Sequence, residues 1–349
     1  MIDLLLGGSP CQGFSFAGKQ LNFFDPRSKL FFDYVKALEI LKPKYFLLEN
    51  VKMKKEYEDV ITQHLGVKPI EINSALVSAQ NRKRLYWTNI PGIQQPKDKG
   101  ILLKDIIIDG EVDRDKSFCI DGNYYKGGNV KQYFEKHRRQ IVFTQKFGED
   151  SQSLNRALKS TKAFDEKANC MTATMYKGMA SLSGSLSSVS SGMKGEASSA
   201  GKSTNGATNI IQNYKFRMLY PIECERLQTL PDNYTAVGVI DGKEIPISNT
   251  QRYKMLGNGW TVDVIAHILS FIPETYLHTV VSLFDGISCG QVALERAGKI
   301  YNQYYASEVD KYAIAVTQKN YPHTMQLGDV TKIDWNAFLD RLNLIQNVS

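Results

Sequence analysis

Four short apolar runs in this chain each end on a small or acidic residue, and that recurrence constrains the fold most. Ile2–Leu6 runs into Gly7-Gly8-Ser9-Pro10, Tyr45–Leu48 into Glu49-Asn50, Thr279–Phe284 into Asp285-Gly286, and Tyr304–Ser307 into Glu308. Apolar runs this short, without polar alternation, are the mark of strands buried on both faces. Val67–Asn73 and Arg84–Thr88 are further candidate strands. Between them lie stretches with helical spacing. Ser28–Leu41 carries Leu30, Phe31, Tyr34, Leu38 and Leu41 and stops before Lys42-Pro43. Pro221–Gln228, Thr261–Phe271, Gly290–Ala297, Ala313–Asn320 and about Trp335–Ile345 are further helices, and a short strand ends near Gly328-Asp329. Strands alternating with helices predict an α/β fold: a mainly parallel sheet with helices on both faces. Reactive groups of such folds sit in loops at the carboxyl ends of the strands.

At 349 residues the chain has room for one large domain or two modest ones. Its 42% hydrophobic and 23% charged residues exclude global disorder. No apolar run approaches the roughly 18–20 residues of a membrane span, and Met1–Leu6 lacks the basic stretch and long apolar core of a signal peptide. Lysine and arginine number 43 against 36 aspartates and glutamates, a net +7 that permits a polyanionic partner without demanding one. The five cysteines, Cys11, Cys119, Cys170, Cys224 and Cys289, are widely spaced with no CxxC. That argues against a disulfide scaffold or metal site and for a reducing compartment.

The periodicity fades between about Leu102 and Tyr220. Tyr124–Arg139 mixes six basic side chains with Tyr124, Tyr125, Tyr133 and Phe134. Residues 181–209 hold ten serines and five glycines and no aromatic, a composition that cannot bury a core and predicts a flexible linker. The expected organisation is therefore a main domain in two parts, residues 1–104 and 217–349, around a smaller irregular domain at 105–216.

Five segments carry chemistry. Gly7-Gly8-Ser9-Pro10-Cys11-Gln12-Gly13-Phe14-Ser15 puts a cysteine in a rigid loop after a buried strand; a structural cysteine is the bland reading. Glu49 ends a strand, where a solvated charge is commoner. Gln80-Asn81-Arg82-Lys83-Arg84 reads as a solvated charge run, yet its alternation sets Arg82 and Arg84 on one side of an extended chain. Phe284-Asp285-Gly286-Ile287-Ser288-Cys289-Gly290 is a strand, a small-residue loop and a helix, with Glu308 about twenty residues on and Asp329 beyond it. This fits a nucleoside cofactor; a dinucleotide fits the spacing too, but G-x-G-x-x-G is absent. Met255-Leu256-Gly257-Asn258-Gly259-Trp260 reads as a glycine-rich turn opening a helix.

Taken together, these segments resemble the DNA (cytosine-5) methyltransferase family. Ser9-Pro10-Cys11-Gln12 resembles its nucleophile loop, Glu49-Asn50-Val51 its ENV motif, and Gln80-x-Arg82-x-Arg84 its QxRxR motif. Arg217–Tyr234, with Pro221, Glu223, Arg226, Leu227 and Pro231, resembles the segment after the target-recognition region. Gly257-Asn258 resembles the last motif, and Phe284-Asp285-Gly286, Glu308 and Asp329 the cofactor motifs. The loop Leu283–Gly290 is most similar to de novo-type and phage-like members. The order differs from the family's usual one: the cysteine loop comes first and the cofactor segment last, as in a circular permutation. Asp329 to Cys11 through the joined ends is 31 residues, enough for the helix Trp335–Ile345 and the strand Met1–Leu6 in one crossover.

The resemblance implies a Rossmann-like S-adenosylmethionine-dependent methyltransferase domain with a target-recognition domain at 105–216, acting on double-stranded DNA. It implies Cys11 as nucleophile, Glu49 at the base, Arg84 on the base oxygen and Arg82 in support. It places S-adenosylmethionine against Pro10, Asn258, Phe284, Asp285, Gly286, Glu308, Val309, Asp329 and Val330. DNA contacts are expected at Gln12, Ser15, Gln80, Thr172, Thr174, Lys177 and Gly178. Cys119, Cys170 and Cys224 read as structural and Cys289 as a small loop residue. Competing expectations are a non-catalytic DNA-binding regulator on the same fold, an RNA cytosine-5 methyltransferase, and a dinucleotide-dependent oxidoreductase. The cytoplasm of a bacterial or phage-infected cell is the expected setting, restriction–modification a fitting role, and a monomer the default with dimerisation open.

Overall fold

In the computed structural model the described residues are 2–10, 26–127, 133, 136–144 and 216–346. Their centre is a seven-stranded sheet in the order β11-β10-β9-β1-β2-β4-β3. The strands are β1 (Leu4–Gly7), β2 (Tyr45–Val51), β3 (Ile70–Asn73), β4 (Lys83–Thr88), β9 (Tyr276–Leu283), β10 (Ile300–Ser307) and β11 (Met325–Gln326). Every neighbouring pair is parallel except the two made by β4, which runs against β2 and β3. Short antiparallel pairs join β5 (Ile141–Phe143) to β6 (Phe216–Met218) and β7 (Val237–Ile240) to β8 (Lys243–Pro246).

Strand alternation sorts the side chains onto two faces. Leu4, Leu6, Leu47, Tyr86, Val280, Tyr304 and Ala306 belong to one core. Against them pack α6 (Val262–Leu269), α7 (Cys289–Arg296) and α8 (Lys311–Asn320), through residues such as Ile265, Val292 and Val316. Leu5, Phe46, Leu48, Trp87, Val281 and Leu283 belong to the other, beneath α1 (Pro26–Leu41), α2 (Lys55–Leu65) and α9 (Trp335–Gln346). Each fully buried Leu, Phe or Ile of these faces contributes about 1.5–3 kcal/mol. The first core also takes in Leu103 and Ile106 of α3 (Leu103–Ile106), Ile120, Tyr124 and Val142, so the described part of the middle stretch packs on the main body.

Three features differ from expectation. Helix α2 was not foreseen, because its sequence is polar apart from Tyr57, Val60, Ile61 and Leu65; Tyr57, Ile61 and Leu65, spaced four apart, share one buried stripe. Left-handed Gly66 closes it, its N–H donating to Thr62 O. Strand β10 begins at Ile300 because it pairs with β9 from Tyr276 onward. Met255–Asn258 is not a turn. It is the last turn of α5 (Asn249–Asn258), and the break comes at Gly259. Position 257 of that helix is a glycine because Asp121 and Gly122 pass too close to its backbone for any side chain. Helix α4 (Pro221–Leu227) opens on proline as expected, and its Glu223, fully buried, accepts from Ile108 N, Tyr220 N and the Arg217 guanidinium.

Candidate active site

Strand register places the expected chemistry in one row. Gly7 lies opposite Leu48 on one side and Leu283 on the other, and Leu283 lies opposite Ser307. The next residue of each strand is therefore Gly8, Glu49, Phe284 and Glu308. These line a single cavity of about 280 Å³ with Ser9, Pro10, Arg82, Arg84, Asn258 and Trp260. The cavity opens where β9 leads outward to β10 and β1 leads the opposite way to β2, the reversal point at which parallel sheets hold ligands.

On the β2 side, Glu49 Oε1 sits 2.9 Å from Arg84 Nε, both side chains largely buried. Glu49 Oε2 accepts from Trp260 Nε1 at 3.2 Å. Neighbouring Asn50 is 1% exposed and donates through Nδ2 to Ser9 Oγ at 3.1 Å and to Ser9 O. It thus fixes the residue two before Cys11. Gly7 and Gly8 are required here: a methyl group on Gly7 would overlap the Tyr34 ring at 2.5 Å, and one on Gly8 the Trp260 indole at 2.8 Å. Cys11, Gln12 and Ser15 lie outside the described residues, as do Thr172, Thr174, Lys177, Gly178, Cys170 and the Ser/Gly stretch 181–209.

Arg82 is a clasp. It is 4% exposed and donates to Ile120 O, Gly257 O and Gly259 O, tying the entry of β4 to the end of α5. Its Nη1 also lies 3.2 Å from Cys119 Sγ, and Arg84 Nη2 reaches the same sulfur at 3.9 Å. Burial pushes the Cys119 thiol up, but the two guanidiniums outweigh it and hold the thiol below its ordinary range. Gln80 is a correction. Expected at the DNA, it is fully buried, with Nε2 donating to Leu227 O and Gln228 Oε1. A long amide in an apolar interior must spend its donors locally, and here they join the segment before β4 to the end of α4.

The β9–β10 side is built from backbone. Glu308 Oε2 accepts from Gly286 N at 2.8 Å, and Oε1 from Val309 N and Asp310 N. Phe284 takes a left-handed φ of +59°, which turns the chain out of the sheet, and Gly286 follows at +61° with open space beside it. Val309 stands 71% exposed on the rim. Asp285 is buried and bonded by Tyr304 Oη at 2.7 Å and by Ser288, and burial raises its carboxyl. Its role in the loop is thus internal bracing. Asp329 accepts from Thr331 N and Oγ1, bonds that hold its carboxyl below the usual range. Val330 puts its side chain into the second core. Cys289 opens α7, where it is buried, and burial pushes its thiol up to about 12. Cys224 is buried, and burial pushes its thiol up.

These features fit an adenosyl ligand. A carboxylate with lone pairs left over suits vicinal hydroxyls, Phe284 and Val309 offer apolar contact to a purine, and Gly286 leaves room for close approach. Among the described residues no group of His, Cys, Asp and Glu could hold a metal, and no helix is long and apolar enough to cross a membrane.

The sequence model for C-5 cytosine-specific DNA methylases matches residues 1–274 and 278–346. The chain belongs to this family. Its reaction class is therefore methyl transfer to carbon 5 of cytosine, with S-adenosylmethionine as the methyl donor. It is 29% identical to the Type II methyltransferase M1.ScrFI of Lactococcus lactis subsp. cremoris over 75% of this chain, spanning 60% of that relative's length. It is 26% identical to the Type II methyltransferase M.HhaI of Haemophilus parahaemolyticus over 76% of this chain and 74% of the relative. With M.DsaV of Dactylococcopsis salina the identity is 26% over 90% of this chain and 81% of the relative. A crystal structure of the S. pombe Dnmt2 methyltransferase overlaps 77% of this chain and 76% of its own at 13% identity, with a TM-score of 0.42.

Sequence reasoning missed Asn50 and Trp260 as parts of the site. Asn50 stood in a quoted motif, but its reach to Ser9 depends on β1 and β2 being neighbours. A lone aromatic after Gly259 gave no sign that it touches Glu49.

Proposed function

We propose that this methyltransferase modifies cytosine in double-stranded DNA through a covalent adduct on Cys11, with the target base extruded into the cavity. The observation that carries the reading is the ion pair of Glu49 and Arg84 in one cavity with Phe284 and Glu308, which Ser9 and Pro10, the residues before Cys11 in sequence, also line. A base seated between them lies beside the methyl donor.

Cytosine carbon 5 is a weak nucleophile. The Cys11 thiolate adds to carbon 6, and the ring electrons move toward nitrogen 3, where Glu49 holds the proton that keeps charge from building up. Carbon 5 becomes an enamine carbon. Arg84 holds the base oxygen, and its pairing with Glu49 orients both groups. S-adenosylmethionine supplies an electrophilic methyl group when bound. Glu308 would hold its ribose hydroxyls, Phe284 and Val309 its adenine, and Asn258 and Pro10 its methionine end. After transfer a base removes the carbon-5 proton, the sulfur–carbon bond breaks, and Cys11 leaves as the thiolate. A base inside a stacked duplex is unreachable, so extrusion costs a few kcal/mol beforehand. Residues 105–216 read the DNA, their basic side chains gripping phosphates.

The chain order is a circular permutation. Supporting this are the two-block family match and the register that sets β1 directly beside β9 in parallel. The relatives support a bacterial restriction–modification role in the cytoplasm.

The test is methyl transfer from labelled S-adenosylmethionine to mixed-sequence duplex DNA and to structured RNA. Label at carbon 5 of cytosine in DNA is expected. Label on RNA alone overturns the reading in favour of an RNA methyltransferase. Binding of DNA and cofactor without transfer to either overturns it in favour of a silent regulator.

A further inference from the structure

We infer that Trp260 is a positioning residue for Glu49: its indole N–H holds one carboxylate oxygen while Arg84 holds the other, so the carboxylate faces the base in one orientation. This rests on the reading of Glu49 as the group at cytosine nitrogen 3.

A carboxylate held by one partner can swing about its last torsion. Glu49 is held at both oxygens, by Arg84 Nε at 2.9 Å and by Trp260 Nε1 at 3.2 Å, from opposite parts of the chain. The chain on both sides of the indole is held in place. Gly259 O, just before it, accepts from Arg82 Nη2 at 2.8 Å and from Gln228 Nε2 at 3.1 Å. Thr261, just after it, donates to Gln228 Oε1 at 2.9 Å and accepts from Ser74 Oγ at 2.9 Å. Both flanks are thus pinned by buried side chains. The ring lies over Gly8, where a methyl group would meet Nε1 at 2.8 Å, and beside Gly290. The absence of a side chain at Gly8 is what lets the N–H reach Glu49.

The same geometry gives Arg82 a second consequence. The bond from Arg82 to Gly259 O fixes the residue before that indole. Trp260 also lines the cavity with Phe284 and Gly286. It therefore stands between the base-holding and cofactor-holding sides, and its N–H is committed to the base side.

The experiment is a double-mutant cycle on Trp260→Phe and Glu49→Ala, read as single-turnover methyl transfer to DNA, S-adenosylmethionine affinity and melting temperature. Trp260→Phe keeps a ring and removes the donor. The expected result is a roughly tenfold fall in kcat, the size of one hydrogen bond to a charged group. Cofactor affinity should stay within about twofold, and the Glu49→Ala enzyme should lose less than about twofold more on adding Trp260→Phe. If Trp260→Phe melts early, Gly8→Ala displaces the indole instead and should give the same pattern. Unchanged kcat in Trp260→Phe, or losses that multiply in the double variant, overturns the positioning role while leaving the reading of Glu49 intact. Undiminished transfer by Glu49→Ala overturns that reading itself.

Discussion

The two walls of the cavity hold their carboxylates by different means. On the wall made by β9 and β10, Glu308 is held by three backbone N–H groups within twenty-two residues of itself, and Asp285 by Ser288 and Tyr304. On the wall made by β1, β2 and β4, Glu49 is held by Arg84 and Trp260, and the cysteine loop by Asn50. Those partners come from positions 35 to 211 residues away. A site held by its own loop survives distant disturbance. One held by distant side chains is positioned only when the whole fold is in place. The difference predicts that substitutions on the first wall weaken binding, and those on the second slow the chemistry.

The largest effect is expected at Cys11. Cys11→Ala should lower methyl transfer by at least about a thousandfold while leaving S-adenosylmethionine affinity unchanged, measured by single-turnover assay and calorimetry. Glu49→Gln should lower kcat by roughly a hundredfold or more with little change in cofactor affinity. A matching loss of affinity would erase the contrast between the walls. Asn50→Ala leaves Ser9 without its partner. It should cost about 1–3 kcal/mol of stability by denaturant unfolding and on the order of tenfold in kcat, again without a cofactor effect. Glu308→Gln should do the reverse, weakening cofactor binding by about tenfold or more and preserving kcat at saturation.

The smallest effect tests the rim. Lys254 Nζ lies 2.6 Å from Asp310 Oδ2 across the cavity mouth, with both partly exposed. Lys254→Ala should cost no more than about 1 kcal/mol, less in high salt. Burial pushes the Asp310 carboxyl up, but Lys254 and the N–H groups of Tyr312 and Ala313 outweigh it, so the group sits below its ordinary value of 3.8. A depressed carboxyl stabilises the fold above its unfolded value and loses that contribution as pH falls through its folded one. The difference between the wild-type protein and Lys254→Ala should therefore shrink below about pH 4, read by thermal melting.

The same contrast explains what was legible in the sequence. Phe284, Gly286 and Glu308 could be read because their motif is local: strand, tight turn, helix, next strand, carboxylate. The α/β class followed from four buried strands with the same kind of ending. Glu49 and Arg84 could be named, yet nothing in the sequence paired them, because β2 and β4 meet antiparallel across an intervening helix and strand. Gln80 was misread for a related reason. A polar residue beside basic ones looks exposed until the partner that buries it, Gln228, is brought from 148 residues away. Gly257 looked like a turn because a glycine demanded by close packing and one demanded by backbone conformation are indistinguishable in sequence.

The central claim is that a cysteine adduct forms in this cavity, and covalent trapping tests it most directly. The protein is mixed with S-adenosylmethionine and duplex DNA carrying 5-fluorocytosine, whose fluorine blocks the final elimination, and run on a denaturing gel beside Cys11→Ala. A cofactor-dependent protein–DNA species that is absent from the variant is the predicted result. A wild-type protein that methylates ordinary DNA but traps none of the fluorinated duplex, or a Cys11→Ala variant that traps it equally, would contradict the account.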